Sequence, residues 1–278
     1  MRWPGLRCAG FPRRRSVTMR ARNNPFKVSV LALAAAAVVA LVVALVVENA
    51  PAGAATDREP DLGMAHPRAL QIDTTSAPGR KLLRFSSIVV NVGAGPFELR
   101  GSQAPNTDGS PDMETVTQRV FDDAGGFREV STPATMVFGG DGHNHWHVKN
   151  LQDFELVRLD NGVKVGTGAK MGFCFFDNFL YGSSEPAFYK PRTGSCAGGR
   201  SAAQTMMGIS PGWGDIYRRT LPDQYIDVTG LTSGRYRLIV TADADGWFLE
   251  SDDTNNVSWI DIQLGPDSVR IVARGPSA

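Results

Sequence analysis

Cysteine and histidine are scarce in this chain, with three and four residues among 278. Three cysteines exclude a disulfide-dense miniprotein and a structural zinc site built on four thiolates. Past residue 60 no apolar pattern of helical period is sustained, and no internal repeat occurs. Acidic residues are missing altogether from positions 1–47, which hold seven Arg and one Lys. Removing those eight from the 29 basic residues of the whole chain leaves 21 against 28 acidic ones, a balance of −7. A body of that sign is a poor partner for nucleic acid and attracts cations. Global disorder is excluded as well, because 42% of the residues are hydrophobic and only 21% charged. Thirty Gly and 17 Pro point to many turns, as in all-β proteins.

Positions 28–47 read VSVLALAAAAVVALVVALVV, with no charged residue. Arg13, Arg14 and Arg15 precede this run, and small residues follow from Ala50 to Ala55. A basic flank, an apolar run and Ala-x-Ala sites describe a secretory signal. The run is also long enough to span a bilayer as an uncleaved anchor. Either way the basic flank stays inside and the remainder is exported, secreted or held at the outer face of the membrane. Contact with a membrane is then confined to the N-terminal segment. Arg14-Arg15 matches a twin-arginine signal only weakly, and a start at Met19 gives a more ordinary basic region. The expected organisation is a signal or anchor over 1–48, a linker over 49–59 and one domain over 60–275. N-terminal sequencing of the exported protein separates cleavage from anchoring.

Beyond the linker, short β-branched or aromatic runs alternate with turn signals. The runs are 82–92, 116–121, 154–159, 236–242 and 257–264; Asn161-Gly162, Ser233-Gly234, Asp245-Gly246 and Asp141-Gly142 mark turns. Tyr236, Leu238, Val240 and Ala242 alternate with Arg235, Arg237, Ile239 and Thr241, which predicts one buried face. The fold class is therefore all-β, a sandwich-like single domain with long loops. Gly, Pro and Ser crowd 176–212, which reads as a loop excursion.

Three of the four histidines fall in Gly142-His143-Asn144-His145-Trp146-His147-Val148. Alternate residues of a strand share a face, so the three imidazoles point the same way. A flat strand would hold His143 and His147 roughly 13 Å apart, at ~3.3 Å per residue. That is too far for two imidazoles to meet at one ion. The spacing therefore predicts a bulge or strong twist, with Gly139, Gly140 and Gly142 giving the backbone freedom. Three neutral imidazoles suit copper, zinc or iron, with Cu(II) first in affinity. The alternative is a solvated polar strand face. His66 stands alone and reads as a structural residue in a loop.

At this point the sequence resembles the lysyl oxidase family. His143-Asn144-His145-Trp146-His147 resembles its His-x-His-x-His copper segment. Gly168-Ala169-Lys170-Met171-Gly172-Phe173-Cys174 resembles the block whose lysine enters the cofactor. Positions 208–217, GISPGWGDIY, resemble the block with the cofactor tyrosine. Gln224-Tyr225-Ile226-Asp227-Val228 and the stretch from Glu250 to Asn256 continue in the same order, and 60–62 and 82–87 also look like the family. The resemblance runs over about residues 60–265 and implies a copper amine oxidase with a self-made lysine tyrosylquinone. Carried onto this chain, the cofactor pair is Lys170 and Tyr217, which folding must bring beside the histidines. Such an enzyme uses O₂ to turn a primary amine, small or in a lysine-containing peptide, into an aldehyde with release of ammonia and hydrogen peroxide.

Asp215 lies two residues before Tyr217 and shares its face on an extended segment, which makes it the candidate general base. The alternative is a turn or cap carboxylate. By resemblance to animal members, Asp61, the Leu62 carbonyl, Glu250, Asp252, Asn255 and Asn256 would hold calcium and tie the start of the domain to a late turn. Asn256-Val257-Ser258 also fits a glycosylation sequon, but a calcium ligand could not carry a glycan. In an exported protein Cys174 and Cys196 are expected to pair, since Cys8 belongs to the targeting segment. Two other readings remain: a copper-binding surface module without turnover, and a zinc or iron enzyme of another type.

Overall fold

Alternation of apolar and polar side chains builds the sheets. Along Gly234–Ala242 every second residue from Tyr236 is buried. Val257–Leu264 repeats that pattern from Ser258, so each strand offers one face to a core. The computed structural model describes residues 54–104, 110, 112–139, 143–191 and 194–278. The apolar run at 28–47, the Asp141-Gly142 turn, Gly140 and Cys8 lie outside the described residues. No helix among the described residues is long and apolar enough to cross a membrane.

The described strands form four sheets, and every strand pairing is antiparallel. The first sheet orders Asp57–Arg58, Thr115–Asp122, Phe97–Ser102 and Gln204–Ile209, with Phe127–Thr132 also on Thr115–Asp122. The second orders Lys164–Thr167, Gln152–Arg158, Gly234–Ala242, Val257–Leu264 and Val269–Arg274. The third is small: Gly172–Phe173, Trp146–Lys149, Met136–Phe138. The fourth orders Phe179–Leu180, Trp213–Tyr217, Leu82–Asn91 and Tyr225–Asp227, with Leu62–Asp73 also on Leu82–Asn91. The all-β expectation holds.

The second and fourth sheets face each other, as in a sandwich. Leu83, Phe85 and Val89 from one pack in a single core with Phe154, Leu156, Leu238, Val240, Ile260 and Ile262 from the other. Phe85 meets Phe154 edge to face at 5.1 Å between ring centroids. Ser87, Gln152 and Gln224 are buried at this seam, where Ser87 Oγ donates to Gln152 Oε1 at 2.8 Å and Gln224 Nε2 donates to Ser87 Oγ at 3.2 Å.

Two expectations need correction. His66 sits within the strand Leu62–Asp73, not in a loop, and its Nε2 lies 2.8 Å from the Gly275 carbonyl. The stretch 176–212 is not all loop: Gln204–Ile209 is a six-residue strand paired along its length with Phe97–Ser102. Its β character comes from that distant partner, and Gly208 is needed because a Cβ there would meet the Tyr189 ring at 2.2 Å.

The rest of that stretch is pinned from inside by one buried carboxylate. Asp177 accepts hydrogen bonds from the Phe188 N–H (2.8 Å), the Tyr189 N–H (3.0 Å), the Ser210 N–H (2.8 Å) and the Ser210 hydroxyl (2.7 Å). Removing it orphans four donors in a dry place. Asp177→Ala is expected to lose at least about 3 kcal/mol of stability in urea unfolding, with Asp177→Asn losing less. A loss below about 1 kcal/mol would mean that the stretch does not lean on this group.

Candidate functional site

The histidine segment solves its distance problem by bending. The strand Trp146–Lys149 begins only after His145, so His143 and His145 lie in the bend before it and His147 on the strand. The expected bulge within a strand is thus replaced by a turn into one. The backbone reverses at Gly139, whose φ of +76° suits a residue without Cβ. The Gly139 N–H donates to the His145 carbonyl at 2.9 Å, and the Gly139 carbonyl lies 3.1 Å from His147 Nδ1. A proton on Nδ1 donating to that carbonyl makes Nε2 the lone-pair donor of His147. On its other flank the strand meets Gly172, where an added Cβ would approach the His147 Cβ to 3.1 Å.

These contacts bring the imidazoles together. Ring centroids are 5.1 Å apart for His143 and His145, 4.4 Å for His145 and His147, and 6.2 Å for His143 and His147. One ligand atom from each lies within 4.8 Å of the others, and His147 is buried. Among the described residues this is the sole such cluster of His, Cys, Asp or Glu. Trp146, between two of them, faces the opposite way into the core, edge-on to Phe138 at 5.4 Å.

Lys170 and Tyr217 meet beside the trio. Ala169 donates its N–H to the Tyr225 carbonyl at 3.0 Å, which fixes the chain just before Lys170. The Lys170 Nζ lies 5.6 Å from the centroid of the Tyr217 ring and 5.6 Å from that of Phe173. Both Lys170 and Tyr217 are 5% exposed, a rare state for a lysine. The Tyr217 hydroxyl donates to the Cys174 carbonyl at 2.6 Å, and Phe173 packs edge-on against its ring at 5.1 Å. Cys174 is bonded to Cys196, the pairing expected from sequence, with 5.8 Å between Cα atoms. The bridge ties the Tyr217 support to the loop 194–198.

Asp215 points into the same cavity from Trp213–Tyr217 and is 2% exposed. Burial pushes its carboxyl up to about 8, against the pull of the nearby Tyr217 hydroxyl, the Asn178 amide that donates to it and the nearby Phe176 N–H. The cavity holds about 520 Å³ and is walled by the three histidines, Lys170, Asp215 and Tyr217, and by the Cys174–Cys196 bridge. Arg218 and Asn178 also line it, and His66 does not. Sequence reading missed Asn178 and Arg218 as residues of this site. Asn178 lies four residues past the block Gly168–Cys174, and a two-residue strand, Phe179–Leu180, gives no periodicity to find it by.

The acidic turn lies elsewhere. Asp61, Glu250 and Asn256 are buried there, and the Leu62 N–H donates to Glu250 Oε2. Asn255 Nδ2 donates to Asp61 Oδ1 at 2.7 Å and Asn256 Nδ2 to Glu250 Oε1 at 3.0 Å. The side-chain oxygens of Asn255 and Asn256 are buried and accept no hydrogen bond among the described residues. Asp252 stays apart: it is exposed and accepts from the Thr254 N–H at 2.8 Å and hydroxyl at 2.6 Å. Burial pushes Glu250 up to about 8, helped by the charges of Asp243 and Asp253 and opposed by the Leu62 N–H and Asn256 amide. At 6% exposure Asn256 offers no surface for a glycan in the folded protein.

Comparison with known proteins bears on this constellation. The family profile described as Lysyl oxidase matches residues 129–273, just over half of the chain. A human protein named Lysyl oxidase homolog 1 is 32% identical over 116 residues, covering 41% of this chain and 18% of its own length. A chicken protein named Protein-lysine 6-oxidase is 31% identical over 122 residues, 44% of this chain and 26% of its own. A bovine protein named Lysyl oxidase homolog 2 is 30% identical over 118 residues, 42% and 14%. The matched part thus spans only a quarter or less of most of these relatives. With that match running through the histidine bend and both blocks that hold Lys170 and Tyr217, the chain belongs to the lysyl oxidase family.

Proposed function

We propose that this chain oxidatively deaminates primary amines, free or as lysine in peptides, to aldehydes with release of ammonia and hydrogen peroxide. The observation that carries the reading is the approach of a buried lysine amine to a buried tyrosine ring within a cavity walled by three imidazoles. The donor set fits copper: three neutral nitrogens, one with its tautomer fixed by a backbone carbonyl, within reach of one ion. His143, His145 and His147 would hold that copper, which with O₂ supplies the oxidation that joins Lys170 to the Tyr217 ring as lysine tyrosylquinone, the electron acceptor of the reaction.

The chain's own residues do the rest. Phe173 fixes the plane of the Tyr217 ring, and the Cys174 carbonyl fixes its hydroxyl. Asp215, as carboxylate, takes the proton from the carbon next to the amine nitrogen. Its burial makes it a stronger base than an exposed Asp. An oxidising, extracellular location fits the Cys174–Cys196 bridge.

The acidic turn is proposed to hold calcium through Asp61, the Leu62 carbonyl, Glu250, Asn255 and Asn256, with Asp252 joining when its carboxylate leaves Thr254. The two buried amide oxygens without donors support this, because a cation would satisfy them.

Mass spectrometry of digested, aerated copper protein is expected to find Lys170 and Tyr217 cross-linked, and phenylhydrazine to label that peptide. Lys170→Ala or Tyr217→Phe should keep copper and lose peroxide formation to background, whereas His147→Ala should lose copper. Unlinked peptides after full copper loading would leave a copper-binding module without turnover.

The rate should rise with pH toward a plateau above about 8, because the carboxyl of Asp215 must lose its proton to act. Below that value the active fraction falls about tenfold per pH unit. Asp215→Asn should lower kcat by roughly 10²–10⁴-fold, and a flat profile from pH 6 to 9 would remove Asp215 as the base. The proton is also held more tightly in the folded than in the unfolded chain, so this group's contribution to stability falls as pH rises from 3.8 through about 8.

Calcium at a hundredfold over its Kd should add about 2.7 kcal/mol of stability. The rise in Tm should be larger at pH 8 than at pH 5, because Glu250 carries its proton in the acid state of the empty site. A Tm indifferent to calcium and chelator at both pH values counts against the site.

A further inference from the structure

Asp215 is held by a neighbour with no assigned role. Asn178 stands at the start of the short segment that pairs with Trp213–Tyr217, and its own N–H donates to the Gly214 carbonyl at 3.1 Å. Its side chain then bridges two consecutive residues of that strand. The Oδ1 atom accepts the Ile216 N–H at 2.7 Å, and the Nδ2 amide donates to Asp215 Oδ1. The first bond settles which end of the amide faces which way, since only the carbonyl oxygen can accept from a backbone N–H. The donor end is thereby aimed at the carboxylate. Behind Asn178, Asp177 is fixed by four hydrogen bonds to residues 188, 189 and 210, so the amide is carried on a rigid base.

We infer that Asn178 is a positioning residue: its amide orients the Asp215 carboxylate toward the cavity and favours its ionised form. A donor on Oδ1 restricts rotation of the carboxyl group and leaves Oδ2, a buried oxygen with no hydrogen-bond partner among the described residues, as the atom that takes a proton. The same donor stabilises negative charge in a site where burial works against it. Without it Asp215 would hold its proton to higher pH and be ionised in a smaller share of molecules at neutral pH. Other groups also act on this carboxylate. The Tyr217 hydroxyl favours its charged form and the neighbouring Asp177 charge disfavours it. Lys170, Arg218 and the three imidazoles face the same cavity. None of these groups is itself replaced by a change at 178. The catalytic consequence rests on the reading of Asp215 as the base; the effect on Asp215 itself does not.

The test uses the copper-loaded full chain and two variants, Asn178→Leu, which keeps the branched outline and excludes water, and Asn178→Ala. Infrared spectra across a pH series follow the protonated carboxyl band of Asp215, identified by its disappearance in Asp215→Asn. Both variants are expected to move its midpoint upward by about one pH unit, and the acid limb of kcat/KM should move with it while copper content stays full. If Asn178→Leu fails to fold, Asn178→Ala carries the measurement alone. A lower Tm with the Asp215 midpoint unchanged overturns the inference, because that is what a merely structural asparagine would give. A midpoint that moves while the acid limb stays still upholds the hold of Asn178 on Asp215 and removes Asp215 from the reaction.

Discussion

The constraint on which this molecule depends is that a lysine amine and a phenol, 47 positions apart in sequence, must sit together in a nearly dry wall. Burial of an ammonium group is opposed by several kcal/mol of lost hydration. A fold meets that penalty only where something else is gained, and here the surroundings are arranged around it. Phe173 and Tyr217 present their rings 5.6 Å from the Lys170 Nζ, close enough for a cation to feel the negative faces. The strands that carry these rings belong to different sheets, the third and the fourth. The meeting is therefore tertiary in origin, and no local propensity produces it.

Close backbone approach is how the sheets converge. Gly172 lets its strand pass within van der Waals reach of His147, and Gly168 lies where any Cβ would strike the Phe154 ring at 2.6 Å. These two glycines flank Lys170, so the lysine is delivered between the histidine strand and the main core by residues that occupy almost no volume. The disulfide works on the opposite wall. It binds the carbonyl-bearing residue that holds the Tyr217 hydroxyl to a loop also kept by the Cys196 N–H donating to the Met206 carbonyl, the Thr205 hydroxyl donating to the Ala197 carbonyl and the Trp146 contacts with Cys196 and Gly199. A small number of interlocking contacts thus sets the mutual position of imidazoles, amine, phenol and carboxylate.

Much of the fold was legible because its strands are amphipathic at period two. The run 236–242 appears in the structure with the face predicted, and 257–264 appears as the strand expected, since alternation reports burial directly. The histidines were legible as a cluster but not in their geometry. Ring convergence depends on the reversal at Gly139 and on the hydrogen bonds that Gly139 makes to residues on both sides of Trp146. Gln204–Ile209 was hidden because the sequence around it is rich in Gly, Pro and Ser and its order comes from Phe97–Ser102, far earlier in the chain. Asn178 was hidden for a similar reason: its meaning lies in a bond across strands to Asp215. What escaped the sequence is consistently what register between distant segments decides.

This division also separates the chemistry from the choice of substrate. The groups that would react sit on or next to paired strands: His147, Lys170, Asp215 and Tyr217 are held by ladders, glycine contacts and buried hydrogen bonds. Irregular chain lines the cavity as well, at Pro191, Ser195–Gly198, Arg218 and Leu221. Alterations in a paired strand shift every neighbour, because a sheet transmits strain along its register. Alterations in the irregular lining are borne locally, provided that Asp177 and the disulfide keep the excursion in place. Selectivity in the proposed reaction can therefore vary with the 176–212 stretch while the constellation stays fixed, which is the physical reason that the proposed reaction is easier to read from this chain than its substrate.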